Sequence, residues 1–576
     1  MYARSASGFL TGMGASHYAI LCVRGLLLAL LAIGVLFPLY ALLRQAFVDS
    51  SGAFAGLEIL SEYLSSFKPL VSLLHTVGVG VTSAVITVFL AFIPAWSATH
   101  GRLFGKRTCA AACMITLFVP SILPAIGLVY LFGGQGGLLG VVPGGELYGF
   151  TGIILGCMAY TLPHAFLLLY TSLRGINPDL YRAGRTLAAS PFKAFWTVTL
   201  PGCRYGLLCA FVVTFILSIT DFGIPKVLGG EYSMLSTEIF QLFVGMQDFS
   251  KGAAASILLL LPSIPAFYLD YWARKKEAAQ RMAGAVNAED AHYLVDTTNS
   301  AEAFSLLAQK SLFTLASWSV AAFPLCIVLV VIYSSFTNFW PYDLSFTLAA
   351  YNFDTTFYGI APYWNSVKLA FAVALAGTFL SFTGAYLARR SVGLFRLAYN
   401  SLALVPLCVP GTVLGLAYAI GGSWAPEFMT PLLDGGILFL AFNTVIHFYT
   451  VCHFTCLAGL DKYGADFESV GATLGAPRYR TFLRVTLPLQ TQPLVDTAFY
   501  LFVNAMTTLS AVVFIYSAEN TPASVAVMQL FDSGQMTEAS ALGTLILITA
   551  CTAKILQLVL SGIGKTTQQG NPEKHV

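Results

Sequence analysis

Twelve mostly apolar runs, each long enough to cross about 30 Å of hydrocarbon as an α-helix, follow one another along this chain. They lie near residues 25–46, 70–97, 108–133, 150–172, 203–222, 252–272, 312–335, 363–388, 397–420, 435–458, 491–515 and 539–562. Inside a bilayer every backbone polar group has to be hydrogen-bonded within the protein, and a helix does this within a single segment. The sequence therefore predicts an all-α polytopic membrane protein of about twelve transmembrane helices.

Only 10% of the residues are charged and 57% are hydrophobic, which excludes a soluble globular protein. The net charge of +3 gives no reason to expect a nucleic-acid partner. The cysteines are scattered through apolar segments and do not form the framework of a secreted disulfide protein. Cys109/Cys113 and Cys452/His453/Cys456 have helical spacing, but no nearby carboxylate completes a ligand set. We therefore expect no metal site and no cofactor.

The twelve runs form two sets of six that repeat one another in parallel. Landmarks recur in the same order at offsets of 286 to 290 residues. They are Phe37-Pro38-Leu39 with Phe323-Pro324-Leu325, His75-Thr76 with Asn365-Ser366, and Pro120/Pro124 with Pro406/Pro410. The predicted domains are residues 1–273 and 312–576, joined by a polar linker over 274–311, with a transport pathway at their interface.

The distribution of Lys and Arg predicts the orientation. One set of loops is basic, with Arg102, Lys106 and Arg107; Arg174, Arg182, Arg185, Lys193 and Arg204; Arg274, Lys275, Lys276 and Arg281; Arg389, Arg390 and Arg396; and Lys462, Arg478, Arg480 and Arg484. The alternate loops 134–149, 336–362, 421–434 and 516–538 contain no Lys or Arg. Both termini and the linker are therefore predicted to be cytoplasmic, in the inner membrane of a bacterium.

Two of the basic loops are copies of each other and end in Val-Thr-Leu-Pro. The distance from Thr186 to Pro201 equals the distance from Thr473 to Pro488, so neither copy has gained or lost a residue. A loop that is fixed in length and duplicated with its membrane domain indicates a docking surface for a partner that comes in pairs. The alternative is an interfacial helix that rests on membrane lipid.

The first copy has the signals of two short helices. Asn177 is predicted to cap a helix with Pro178 at its first position, and Ser190-Pro191 to begin a second helix after a break near 188–189. Phe192, Phe195, Trp196 and Thr199 are predicted to share one face, as are Tyr479, Phe482, Leu483 and Thr486 in the second copy. Small residues at Ala183/Gly184 and Val470/Gly471 are expected to allow close backbone approach, and Gly475 a left-handed turn.

These loops resemble the EAA motif of ABC importer permeases, which has Glu-Ala-Ala, a later Gly and a Leu-Pro ending. The first copy reads Arg182-Ala183-Gly184, Ala188 and Val198-Leu200-Pro201, and the second reads Ser469-Val470-Gly471, Gly475 and Val485-Leu487-Pro488. Neither copy keeps the Glu, and Ala188 stands where Gly is usual. The resemblance implies two coupling helices that dock two ATP-binding subunits, and a periplasmic or lipid-anchored substrate-binding protein as a further partner.

Within that family the fused form resembles permeases for ferric iron and for 2-aminoethylphosphonate. Residues 220–230 and residues 506–527 look more like the aminoethylphosphonate branch. We therefore expect 2-aminoethylphosphonate as the substrate, with ferric iron as the alternative.

The chain lacks its own energy source. A nucleotide-binding P-loop needs the whole motif G-x-x-x-x-G-K-[ST] between a strand and a helix. Gly564-Lys565-Thr566 is the nearest match, but Val559 occupies the position of the first Gly. We expect a transport subunit that is not an enzyme, with ATP hydrolysis on separate subunits.

Polar residues at the outer ends of the fifth and eleventh runs are the candidates for the pathway. They are Thr220 and Asp221 in the first half and Asn504, Thr507, Thr508 and Ser510 in the second. The carboxylate of Asp221 suits an ammonium group or a metal ion, and the alternative is a local hydrogen bond at a helix end. For His75, Asn365, His164 and His447 we expect structural roles.

Two other classes of function remain open. An ion-coupled secondary transporter also has two parallel six-helix halves, but it needs ionisable residues in mid-span, and the apolar runs contain almost none. A membrane enzyme needs a cluster of catalytic groups, which the sequence does not contain.

Overall fold

The computed structural model describes residues 2–48, 52–100, 103–133, 137, 147–283, 300–424, 436–462 and 466–569. The helices of the first half are α1 (Tyr2–Gln45), α2 (Glu58–Ser65), α3 (Lys68–Thr99), α4 (Lys106–Cys113), α5 (Ile122–Phe132), α6 (Phe150–Arg174), α7 (Pro178–Thr186), α8 (Pro191–Ala194), α9 (Leu200–Thr220), α10 (Gly223–Leu228), α11 (Leu235–Phe240) and α12 (Phe249–Ala283). Those of the second half are α13 (Ser300–Ser334), α14 (Ala361–Arg389), α15 (Leu394–Cys408), α16 (Gly411–Ser423), α17 (Ile437–Lys462), α18 (Asp466–Thr473), α19 (Arg478–Thr481), α20 (Leu487–Leu489), α21 (Thr491–Thr507), α22 (Ala523–Asp532) and α23 (Met536–Gln569).

The remaining elements are short. Single π-helical turns cover Phe195–Thr199, Gln241–Gly245 and Phe482–Thr486, and 3-10 turns cover Ile115–Phe118, Ala349–Tyr351 and Phe353–Thr355. One antiparallel hairpin joins β1 (Thr337–Phe339) to β2 (Asp343–Phe346).

The prediction of an all-α polytopic membrane protein is confirmed. Among the described residues, nine helices are long and apolar enough to cross a membrane. They correspond to nine of the twelve predicted runs. The other three runs differ from the prediction: 108–133 is divided among α4, a 3-10 turn and α5, 397–420 is divided between α15 and α16, and 491–515 contains only the 17-residue α21.

Prolines explain the division of the third run in each half. Val119 and Val409 are extended, and each precedes a proline, a position at which the helical conformation is disfavoured. Helix α15 meets α16 at an angle of 107° at this break. The structure therefore matches Pro120 with Pro410, and the sequence match of Pro120 with Pro406, which lies inside α15, was wrong.

The first helix of each half packs against the other half. The Tyr418 hydroxyl of α16 donates a hydrogen bond of 2.7 Å to the Gly34 carbonyl of α1. A Cβ on Gly34 would lie 2.8 Å from Ile446 of α17, and one on Gly127 of α5 would lie 2.6 Å from Ile327 of α13. The two halves are therefore interlocked. The linker prediction falls in part on residues 284–299, which lie outside the described part of the chain.

A matched set of hydrogen bonds occurs in both halves. Side chains of α3 in the first half and of α14 in the second bind the backbone of the segment that follows α9 or α21. The hydrogen bonds are Leu235 N to Thr76 Oγ1 (3.0 Å), Ala523 N to Ser366 Oγ (2.7 Å), His75 Nδ1 to Ser233 O (3.1 Å) and Asn365 Nδ2 to Thr521 O (3.4 Å). Buried backbone groups outside regular structure need such partners. The structural roles expected for His75 and Asn365 are confirmed.

Candidate functional site

The first repeated loop is built from two capped helices, as predicted. The Asn177 side chain accepts a hydrogen bond of 2.9 Å from Asp179 N, and Pro178 begins α7. The Ser190 hydroxyl accepts one of 3.2 Å from Lys193 N and begins α8. Each cap satisfies a backbone N–H at a helix start that has no partner within the helix.

Between the two helices both copies make the same left-handed turn. Ala188 has φ +49° and Gly475 has φ +69°. The next residue then donates back to the carbonyl of the small residue in the preceding helix: Ala189 N to Gly184 O and Ala476 N to Gly471 O, both at 2.9 Å. This is a Schellman motif, which commonly uses Gly at the left-handed position. The departure from Gly at Ala188 thus leaves the shape of the turn unchanged.

The close approach expected of the small residues is present in one copy. A Cβ on Gly471 would lie 2.7 Å from Thr481 Oγ1, so the second loop needs glycine there. A Cβ on Gly184 would meet only Ala189 at 3.9 Å, an ordinary contact. The difference lies in the side chain that faces the glycine.

Around these turns the other predicted loop residues take matched positions. Arg182 forms an exposed ion pair of 2.8 Å with Asp179, and Val470 is 55% exposed. Ala183 O and Val470 O accept from Leu187 N and Leu474 N at the ends of their helices. Ser469, Pro201 and Pro488 complete the set, with each proline at the start of a helix where no N–H is needed.

Large apolar side chains project from both loops at matched positions. The exposed fractions are Leu187 82%, Phe192 74% and Trp196 53% in the first copy, and Leu474 79%, Tyr479 69% and Leu483 56% in the second. Contiguous exposed apolar side chains rimmed by basic residues are typical of a protein interaction site.

The predicted apolar stripe is divided in the structure. Phe195 packs edge-on against Phe92 at 6.0 Å, and Phe482 lies 4.9 Å from Tyr386, so these two rings face the long helices. Thr199 is buried, and its hydroxyl lies 2.8 Å from the Tyr181 hydroxyl, whose pKa is raised to about 12 by burial. The π turns, which have a wider repeat than an α-helix, shift the register and separate the inward from the outward side chains.

A cavity of about 330 Å³ lies between the two halves. All six predicted pathway residues line it: Thr220, Asp221, Asn504, Thr507, Thr508 and Ser510. Residues 220 and 221 end α9 just as 507 and 508 end α21, so the matched ends of the two helices face one space. Their part in transport stays a prediction.

Asp221 both lines this cavity and caps a helix. Its side chain is 7% exposed, and Oδ2 accepts a hydrogen bond of 2.7 Å from Ile224 N in α10. The local hydrogen bond offered as the alternative in the sequence analysis is therefore present. Ser121 and the Phe222 backbone also interact with this carboxylate, so a cation in the cavity would share acceptor atoms that the protein already uses.

Several residues that line the cavity were not predicted from the sequence. Asp270 of α12 is 2% exposed and accepts a 2.7 Å hydrogen bond from Arg274 Nε, one helical turn further on. The aspartate lies inside the sixth apolar run, where the i, i+4 pairing was the available signal. His164 and His447, which were expected to be packing residues, also line the cavity. Tyr160 and Tyr500 complete this set.

The model of the binding-protein-dependent transport system inner membrane component family matches residues 87–277 and 380–561. The chain belongs to this family. Each matched segment contains one repeated loop, so the family unit is present twice, whereas the exchanged helices α1 and α13 lie outside both segments.

Curated relatives of this permease are named for several cargoes. It is 25% identical over 484 residues to a ferric transport system permease protein FbpB of Actinobacillus pleuropneumoniae, an alignment covering 82% of this chain and 67% of the relative. It is 24% identical over 502 residues to a putative ferric transport system permease protein FbpB 1 of Haemophilus influenzae, covering 84% and 76%. A spermidine/putrescine transport system permease PotC homolog of Mycoplasma genitalium is 29% identical over 189 residues, covering 33% and 64%.

These matches establish the general function of the chain. The chain is an inner-membrane permease of a binding-protein-dependent, ABC-type transport system. It is the membrane component of that system, and the family description implies a substrate-binding partner and an ATPase.

Proposed function

We propose that this permease imports a cationic substrate through the cavity between its two halves, and that the substrate is ferric iron. The charge of the cavity carries the proposal. Its described lining contains two carboxylates, Asp221 and Asp270, and one guanidinium, Arg274, which Asp270 already holds. Charges in such a confined space act more strongly than in water, so a cation is favoured over an anion.

Ferric iron is preferred because two relatives that align over most of this chain are named ferric transport permeases. A hard cation suits the carboxylate, phenol and hydroxyl oxygens of the cavity wall. Among the described residues, no three His, Cys, Asp or Glu side chains lie close enough to hold a metal ion. Weak binding suits a pathway, since a transported ion has to leave it again.

The alternative substrate is 2-aminoethylphosphonate. The resemblance of residues 220–230 and 506–527 to that branch supports it, and its ammonium group suits Asp221. Its phosphonate needs a cationic partner, and Arg274 is the one lysine or arginine side chain in the described lining. Because Asp270 neutralises Arg274, the cavity suits this zwitterion less well than a metal cation.

We place the two repeated loops, both termini and the linker on the cytoplasmic side, from the positive charge of those loops. The exposed apolar residues of each loop then dock one ATP-binding subunit, giving two per chain. Gly564-Lys565-Thr566 lies within α23, and a helix does not form the phosphate-binding loop of an ATPase.

The residues of the repeated loops transmit movement from the ATP-binding subunits to the membrane helices. Helices α7 and α18 each end in one of the left-handed turns described above. After each turn an inward-facing ring packs against a long helix: Phe195 against α3 and Phe482 against α14. Closure of the ATP-binding subunits would therefore move each loop together with the long helices of its half. A rigid-body movement of the halves opens the cavity to one side and then to the other.

Uptake by proteoliposomes that contain this chain, its ATP-binding subunit and its receptor tests the proposal. We expect uptake of ⁵⁵Fe³⁺ citrate with internal ATP and no uptake with an ion gradient alone. Uptake of radiolabelled 2-aminoethylphosphonate with no uptake of iron would assign the alternative substrate. Transport driven by an ion gradient without ATP would overturn the ABC importer assignment.

A further inference from the structure

An ion pair joins the two halves on the side of the cavity away from the repeated loops, here called the far side. Lys226 Nζ of α10 lies 3.2 Å from Asp532 Oδ2 of α22. The two side chains are 30% and 44% exposed. Helix α10 follows α9 in the first half and α22 follows α21 in the second, so the pair connects the segments that lie beyond the matched ends of the cavity helices.

An aromatic cluster reinforces the contact between these segments. The ring centroid of Phe514, from the second half, lies 5.9 Å from that of Phe240 and 5.8 Å from that of Phe243, both from the first half. Phe240 in turn packs against Phe222 at 4.8 Å. Because Phe222 directly follows Asp221, the cluster extends from the far side to the cavity wall.

The Asp221 side chain caps the start of α10, the helix that carries Lys226. Its carboxylate accepts the hydrogen bond from Ile224 N, within the first turn of α10. A carboxylate at this position also interacts favourably with the positive end of the helix dipole. The same carboxylate lines the cavity, so a cation in the cavity and the backbone of α10 share one acceptor group.

We propose that Lys226, Asp532 and Phe514 form the closure of the cavity on the far side, and that Asp221 connects cavity occupancy to it. The halves must separate here for substrate to enter, because these contacts bridge them. A cation beside Asp221 changes the free energy of its hydrogen bond to α10 and thereby the balance between closed and open states. This inference rests on the proposed import function for its direction.

The test measures ATPase activity without receptor in proteoliposomes. If the ion pair holds the resting closed state, its loss raises the population of the open state. We expect Asp532→Asn and Lys226→Gln each to raise receptor-independent ATPase about threefold, the effect of a half-exposed ion pair. The double exchange Lys226→Asp with Asp532→Lys should return the activity toward that of the parent.

A matched control is available on the same side. Glu62 pairs with Lys251 at 3.0 Å, but both residues belong to the first half. Glu62→Gln should therefore leave receptor-independent ATPase at the level of the parent. An Asp532→Asn variant that behaves like Glu62→Gln would overturn the proposed closure.

Asp221 variants test the connection. Asp221→Ala removes both the capping side chain and the charge, whereas Asp221→Asn keeps a capping side chain, so Asp221→Ala should raise receptor-independent ATPase more than Asp221→Asn does. Equal activity of the two variants would overturn the connection. If substitutions at the ion pair prevent assembly, Phe514→Leu, which keeps the ion pair and removes the aromatic contact with Phe240 and Phe243, should raise receptor-independent ATPase. Activity equal to that of the parent would count against the closure.

Failure of this inference can be distinguished from failure of the proposed function. The parent protein is assayed for ATP-dependent iron uptake in the same vesicles. Absent uptake by the parent would count against the proposed substrate and direction. Normal parental uptake with variants that match the parent in receptor-independent ATPase would count against the closure alone.

Discussion

Exchanging the residues at the two left-handed turns should change the stability of each repeated loop in opposite directions. A left-handed conformation costs a residue with a Cβ about 1–2 kcal/mol. Gly475 has φ +69°, and a Cβ there would meet no atom within 4 Å, so Gly475→Ala should incur this backbone cost alone. Ala188 has φ +49°, and Ala188→Gly should recover part of that cost, offset by the greater chain entropy of glycine.

Hydrogen exchange in lipid nanodiscs measures this directly at Ala476 N and Ala189 N, which close the two turns. A local destabilisation of about 1 kcal/mol corresponds to roughly fivefold faster exchange through local opening. We expect this acceleration at the second turn in Gly475→Ala and slower exchange at the first turn in Ala188→Gly. Unchanged exchange at both turns would refute the argument that backbone strain distinguishes the two copies.

Three further predictions concern docking, charge and packing. Gly475→Trp and Gly184→Trp should retain receptor binding but lose receptor-stimulated ATPase, because a bulky side chain obstructs the docking face; unchanged transport in both would remove the docking interpretation. Asp221→Asn should lower uptake about fivefold, on the order of 1 kcal/mol of attraction, and uptake equal to that of the parent would leave Asp221 a capping residue only. Gly34→Leu should lower the Tm, because even an added Cβ would lie 2.8 Å from Ile446, whereas Gly25→Leu should leave the Tm unchanged, because an added Cβ there would meet no atom within 4 Å.

Local sequence signals were sufficient to predict where the helices of the first repeated loop begin. Asn177-Pro178 and Ser190-Pro191 are strong helix-start signals, and both helices begin there. The duplication also placed the ends of α9 and α21 opposite each other, which brought the six pathway residues into one cavity. These features depend on neighbours in sequence and on the repeat, which a single sequence reveals.

Features that depend on packing between distant segments were not predictable. Helices α1 and α13 each pack against the opposite half through contacts such as that of Tyr418 with Gly34. Such contacts between distant segments leave no periodic pattern in the sequence. The π turn at Phe195 separated a stripe that an ideal α-helix would keep on one face. Asp270 was overlooked because one carboxylate barely changes the hydropathy of an apolar run, although Arg274 one turn later indicated a pair.

The most direct test of the account is the native mass of the complex formed with the cognate ATP-binding subunit. Two docking loops in one polypeptide predict two copies of that subunit per chain. Phe192→Asp with Trp196→Asp, which places charge on the exposed face of the first loop alone, should reduce the number to one. A parent complex with one ATP-binding subunit, or with none, would contradict the proposal that the duplicated loops are the docking sites.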